Sequence, residues 1–212
     1  MRLARLSSAA RRGFTLIELL AVILIISILA VALVPMVTDA VDSAKVSACQ
    51  KNLTNIHGGI LIHQTKFKRL PSGSGVRFFT DLYTKKALEN SKKNAEIMTC
   101  PAVDLGALTI GELPWEEWWS DTESIGGDYT AYAGRDTKRH KLRKLTGTEP
   151  LIADDNDGAM NHATTTNVLY GDGSVQSLEL TNLVADGSLM EDEILLVGPD
   201  SPVEDLRKLS LD

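Results

Sequence analysis

The sequence predicts an α+β protein: a long N-terminal transmembrane and stalk helix packed on a small antiparallel-sheet head. Three observations predict it. Residues 14–34 read FTLIELLAVILIISILAVALV, an almost uninterrupted apolar run. Residues 35–66 continue with apolar side chains at three- and four-residue steps, the period of an amphipathic helix. Residues 166–180 are two runs of β-formers around Gly171-Asp172-Gly173, the pattern of a hairpin with a glycine-bearing turn.

The first element is a leader. Residues 1–13 carry Arg2, Arg5, Arg11 and Arg12 and no acid, in a chain of 212 residues with 22 Lys+Arg, 28 Asp+Glu and net charge −6. Without those four arginines the balance is 18 basic residues against 28 acidic, a net of −10. This excludes a uniformly basic nucleic-acid binder. Hydrophobic content of 43% excludes a disordered acidic chain. The length suits one domain plus an extra segment.

The second element is a membrane segment over residues 14–34. These 21 residues contain one charge, Glu18, and two hydroxyls, Thr15 and Ser27. At 1.5 Å per residue the run spans roughly 30 Å, the thickness of a hydrocarbon core. The arginines before it keep residues 1–13 cytoplasmic by the positive-inside bias and send the remainder outward. A cleaved secretory signal has an apolar core of only about 7–15 residues, and a plain signal anchor leaves Glu18 unexplained. A charge at mid-bilayer costs about 2.5–3.5 kcal/mol, so Glu18 calls for a partner.

Arg11-Arg12-Gly13-Phe14-Thr15-Leu16-Ile17-Glu18 closely resembles the cleavage site of type IV prepilins and type II secretion pseudopilins. The resemblance implies that a prepilin peptidase cuts between Gly13 and Phe14 and methylates Phe14 as the new terminus. It also implies that Glu18 pairs with the Phe14 ammonium of a neighbouring subunit, and a buried carboxylate is tolerated when so paired. Pro35 falls where many members of that family carry a helix-kinking proline.

The third element is the stalk. Val37, Ala40, Val41, Ala44, Ala48, Leu53, Ile56 and Ile60 mark the apolar face, and one helix is expected from residue 14 to about 66, kinked at Pro35 and loosened at Gly58-Gly59. KRLPSGSG, residues 68–75, is a loop by composition. The head, residues 67–212, is expected to hold a short helix over 78–88, strands over 96–100, 129–133, 150–153, 166–170 and 174–180, and a last helix over 202–209. Its tail from Asp186 carries eight acids against Arg207 and Lys208.

A second resemblance lies in the hairpin. His162 is followed by nine residues and then Asp172-Gly173. This H-x9-DG arrangement resembles the C-terminal signature of a prepilin-like group, usually H-x-x-G-x-N-V-L-F-x-D-G-x-V. Asn167-Val168-Leu169-Tyr170 and Asp172-Gly173-Ser174-Val175 match it, while Thr165 replaces the usual glycine.

Candidate chemistry in the head is sparse. There is no H-E-x-x-H, G-x-S-x-G, P-loop or C-x-x-C, and no catalytic residue set is expected. His162 and Asp172 are a candidate His–Asp pair, with a structural contact as the bland alternative. His57, His63 and His140 lack metal-ligand spacing and read as surface or stalk positions. Asp154, Asp155 and Asp157, in DDNDG, offer oxygens to a hard cation such as calcium; the alternative is an Asx-rich turn. No motif requires a cofactor, so calcium is the single candidate. Two cysteines exclude a disulfide-dense miniprotein or a four-cysteine zinc site. In an oxidising compartment Cys49 and Cys100 are expected to form a disulfide closing a loop of about 50 residues, against two free buried thiols. Trp115, Trp118 and Trp119 either form a binding platform or pin a long loop onto the domain. Residues 135–144 hold six basic side chains without interleaved aromatics, so no nucleic-acid partner is expected.

The resemblance therefore implies a structural subunit and not an enzyme: a single-pass inner-membrane protein with a periplasmic head, processed by prepilin peptidase. It would pack with other pilin-like subunits and the secretion or pilus assembly machinery into a periplasmic pseudopilus or pilus. The alternative is a membrane-anchored periplasmic binding protein whose tryptophan loop captures a polysaccharide or protein partner.

Overall fold

A computed structural model describes residues 14–154 and 160–212. The chain divides into two units, Met1–Val41 and Asp42–Asp212. Helix α1 (Leu16–Phe67) is continuous through Pro35 and Gly58-Gly59. Pro35 removes one ladder donor, and the Thr38 hydroxyl donates to the Pro35 carbonyl at 2.7 Å. Among its described residues the first unit buries none of its apolar side chains: Leu16, Ile17, Ile23, Leu29 and Val31 are all exposed. By length and composition this part of α1 can cross a membrane.

In the second unit the same helix acquires a buried stripe: Cys49, Leu53, Ile56, Gly59, Ile60 and His63. These recur at three- and four-residue steps and so lie on one face. Two short helices follow. The first, α2 (Arg77–Thr84), buries Phe78, Phe79 and Leu82. The second, α3 (Lys92–Glu96), begins at Ser91, whose hydroxyl accepts from the Asn94 amide, an N-cap.

The sheet is five-stranded, ordered β4-β3-β2-β1-β5, with every pairing antiparallel. Its strands are β1 (Ala133–Arg135), β2 (Pro150–Ala153), β3 (Thr165–Tyr170), β4 (Val175–Glu179) and β5 (Leu209–Ser210). β3 and β4 form the expected hairpin, with Asn167 opposite Ser177. β1, β2 and β3 are buried along their whole length, which requires a layer on each face. One layer is the α1 stripe with α2 and the Trp118-Trp119 segment, sharing a core with Tyr132, Leu151 and Leu169. The other is built by α4 (Leu180–Ala185) and the C-terminal tail, where Leu183, Leu189, Leu195, Leu206 and Leu209 pack on Ala133, Ala153, Val168 and Tyr170.

The fold class is the one expected, and the differences are local. Residues 96–100 are not a strand, because the Ser91 cap turns the preceding chain into α3. The strand expected over 129–133 starts only at Ala133, since Gly127–Tyr129 is a 3-10 turn. The last helix is reduced to a 3-10 turn, Asp205–Lys208, which feeds β5. Gly134 allows a close crossing: a Cβ there would lie 2.0 Å from the Gly75 carbonyl oxygen.

Candidate functional site

Two places gather the residues singled out by the sequence. The first is the start of α1. Gly13 lies outside the described residues, and Phe14 is 75% exposed just ahead of the helix. The Glu18 carboxylate accepts from the Thr15 amide at 2.8 Å and the Thr15 hydroxyl at 2.7 Å. The Thr15 hydroxyl in turn accepts from the Glu18 amide at 3.3 Å. This is a capping box, and it presents a carboxylate at the head of an exposed apolar helix.

The second place is inside the head. Cys49 comes from α1, Cys100 from the loop after α3, Asp154 from the residue following β2, and His162 from the loop entering β3. One ligand atom from each lies within 4.8 Å of the other three, and all four residues are buried. The Cys49 thiol donates to Asp154 Oδ2 at 3.1 Å. His162 Nε2 is 3.1 Å from the same oxygen and 3.5 Å from Cys100 Sγ. On the far side of the imidazole, His162 Nδ1 lies 3.6 Å from Asp42 Oδ1, beyond hydrogen-bond range.

A shell of donors and acceptors holds this cluster. Asp154 Oδ1 accepts from the Asn167 amide at 2.6 Å, and Oδ2 accepts from Asn167 Nδ2 at 2.5 Å. Asn167 Oδ1 accepts from Gln50 and from Ser177, so α1, β2, β3 and β4 meet at one network. The Tyr132 hydroxyl sits 3.4 Å from Cys49 Sγ. The Ala102 amide donates to Cys100 Sγ at 3.4 Å.

The electrostatics separate the two sulfurs. The neighbouring Cys49 thiol lowers the Cys100 thiol to about 6, opposed by burial and aided by His162. Burial raises Cys49 instead, reinforced by Cys100 and by the Asp154 charge. Burial also disfavours a charged His162, but hydrogen bonds to Asp154 and Cys100 outweigh it and push the imidazole up to about 10. The cluster thus favours a Cys100 thiolate beside a His162 imidazolium.

The sequence-based pairings are rearranged. Cys49 and Cys100, expected as a disulfide, are brought together as free thiols. His162 meets Asp154 and not Asp172, whose carboxylate accepts from the Ser174 amide and hydroxyl within the β3–β4 turn at 2.9 and 2.7 Å. Gly173, next in that turn, has φ +88°. Of the candidate calcium ligands, Asp154 points into the cluster, and Asp155 and Asp157 lie outside the described residues. His63 is buried on α1, with Nδ1 3.1 Å from the Arg69 carbonyl oxygen. Trp118 and Trp119 are buried, with their indole N–H groups donating to Leu113 and Ala95 carbonyls, and they pin their loop to the core. Sequence reading missed Asp42. Its only signal is that it stands seven residues, two helical turns, before Cys49 and so on the same face.

Residues 8–34 match the family model described as the prokaryotic N-terminal methylation motif. Neither a curated protein nor a solved structure matches the chain. The motif marks the chain as a substrate of prepilin-type processing and points to a structural subunit rather than an enzyme. It implies cleavage by prepilin peptidase and assembly with other pilin-like subunits, and with the apolar helix it fits an inner-membrane-anchored protein. Motif, apolar α1 and small antiparallel sheet together fit a type IV pilin-like protein.

Proposed function

We propose that the chain is a structural subunit of a type II-like secretion pseudopilus or a related pilus, cut after Gly13 and assembled with its head in the periplasm. The observation that carries this reading is the methylation motif at residues 8–34 set on a helix that buries none of its apolar side chains before Val41. Such a surface is stable only in lipid or against other helices. Glu18 supplies the charge that a neighbouring Phe14 ammonium neutralises on assembly.

The reading is tested by intact-mass spectrometry of the chain expressed with an active prepilin peptidase. The expected mature species starts at N-methylated Phe14. A membrane-inserted chain that keeps Met1 beside the active peptidase overturns it. The rival reading, a binding head with an exposed tryptophan platform, lacks support from the buried Trp118 and Trp119.

A further inference from the structure

We propose that Cys49 Sγ, Cys100 Sγ, Asp154 Oδ2 and His162 Nε2 are the four ligands of a closed structural site for a zinc-class divalent cation. The donor set carries the class. Two sulfurs, one imidazole nitrogen and one carboxylate oxygen suit zinc or cobalt, whereas calcium takes six to eight oxygens.

Geometry supports it at three edges. Bonds of about 2.0–2.3 Å in a tetrahedron set neighbouring ligand atoms roughly 3.3–3.8 Å apart. The observed separations are 3.1 Å for Cys49 Sγ to Asp154 Oδ2, 3.1 Å for His162 Nε2 to Asp154 Oδ2 and 3.5 Å for Cys100 Sγ to His162 Nε2. The two edges of 3.1 Å need expansion by only a few tenths of an ångström, and the third is already in range. The other three separations lie within 4.8 Å, so a small adjustment places a cation at the centre.

The surrounding groups are those a metal-bound state needs. A metal-ligating histidine usually turns its second nitrogen to a carboxylate. Here the buried His162 Nδ1 has no hydrogen-bond partner among the described residues and faces Asp42 Oδ1 at 3.6 Å. The Ala102 amide points at Cys100 Sγ, the Tyr132 hydroxyl lies against Cys49 Sγ, and Asn167 fixes both carboxylate oxygens of Asp154. With four protein ligands and no more than 2% exposure at any of them, no coordination position is left for substrate, so the site is structural. Cys100 also forms part of the wall of a surface groove of about 490 Å³, so only a thin layer of protein separates the site from solvent on that side.

Binding is balanced in protons. From the thiolate–imidazolium state the cation displaces two protons to solvent, the Cys49 thiol proton and the His162 Nε2 proton. This leaves Cys100 as the thiolate and His162 neutral with its remaining proton on Nδ1, directed to Asp42. The effect is to tie α1, the loop after α3 and the sheet at one point.

The test uses the full chain, purified in detergent under reducing conditions, freed of metal and titrated with Co²⁺. The expected result is one equivalent bound, with sulfur-to-cobalt charge-transfer absorption and tetrahedral d–d bands, both bleached by one equivalent of Zn²⁺. Cys49→Ser should reduce the charge-transfer intensity by about half or abolish binding. Asp42→Asn, which leaves all four ligands and the fold in place, should weaken Co²⁺ affinity by about 10–100-fold. Free thiols that give no charge-transfer band overturn the proposal. So does chain isolated without reductant that contains no metal and has a mass two hydrogens below the dithiol, because Cys49 and Cys100 are then a disulfide. Unchanged Co²⁺ affinity in Asp42→Asn removes the assigned role of Asp42.

Discussion

Glu18 Oε2 accepts from both the amide and the hydroxyl of Thr15, and the Thr15 hydroxyl accepts from the Glu18 amide. The one charge in the apolar run therefore has a local task, capping α1, besides the intermolecular task proposed for it. The two can be separated because a capping box works with Gln as well as Glu. Glu18→Gln should leave helix content and membrane insertion unchanged but cut filament assembly by at least about tenfold, the equivalent of about 1.4 kcal/mol. Thr15→Ala should do the reverse, weakening the cap by about 0.5–2 kcal/mol while assembly persists. Sedimentation of sheared filaments alongside membrane fractionation reads both. Wild-type assembly by Glu18→Gln would mean the carboxylate is only a cap.

Gly173 is required twice over. Its φ of +88° disfavours any side chain, and a Cβ there would meet His57 Nδ1 at 2.7 Å. Gly173→Ala should destabilise the head by about 2 kcal/mol, of which the backbone conformation accounts for about 1–2. All three tryptophans lie in the head, so their fluorescence reports its unfolding by urea in the full chain. In a His57→Ala background the same substitution should cost less, since only the backbone share remains. Equal costs in the two backgrounds would show that the imidazole moves aside freely.

How far the sequence could be read follows from where the information sits. The apolar run, the stripe from Cys49 to Ile60 and the β3–β4 hairpin are periodic and local, so each is visible within a window of a dozen residues. The second core layer is not periodic. Leu189, Leu195, Leu206 and Leu209 lie in an acidic tail with irregular spacing, and only the sheet they cover gives them a common face. The Cys49, Cys100, Asp154 and His162 cluster was illegible for the same reason. Its members are separated by 51, 54 and 8 positions in the chain, so no motif spacing links them, and Cys49 and Cys100 alone suggested a disulfide. The basic stretch over residues 135–144 hides a contact of the same non-local kind: its first residue is a core side chain.

That residue is Arg135, 3% exposed in β1. Its guanidinium pairs with Glu149 at 2.7 Å and donates to the Pro150 and His140 carbonyls at 3.0 and 3.1 Å. Breaking a buried pair from one side costs about 3–5 kcal/mol, and Glu149 stays 35% exposed, which favours the lower end. Arg135→Met should therefore lose about 3 kcal/mol of head stability. Glu149→Gln, which keeps an acceptor, should lose about 1 kcal/mol. Urea melts followed by tryptophan fluorescence check both, and equal losses would place the stabilisation in the ion pair and not in the carbonyl contacts.

Asp136, the next residue, gives the head a pH dependence with a definite sign. Burial alone would raise its carboxyl, but the amides of Arg139 and Lys138, the Ser74 hydroxyl and the Arg139 charge outweigh burial and hold it below its ordinary 3.8. Oδ1 accepts from Ser74 Oγ and from both amides at 3.1 Å. A carboxyl lowered by folding binds its proton more readily in the unfolded chain, so it stabilises the fold above the unfolded value and loses that stabilisation as pH falls through the folded one. Asp136→Asn should cost about 1.5–3 kcal/mol at neutral pH, the range for hydrogen bonds to a charged group. The gap between wild type and variant should stay level down to about pH 5 and close only below 3.8. Paired urea melts across this range measure the gap directly. A gap that closes above pH 5 would mean that the Asp136 carboxyl is raised by burial and that its hydrogen bonds do not compensate.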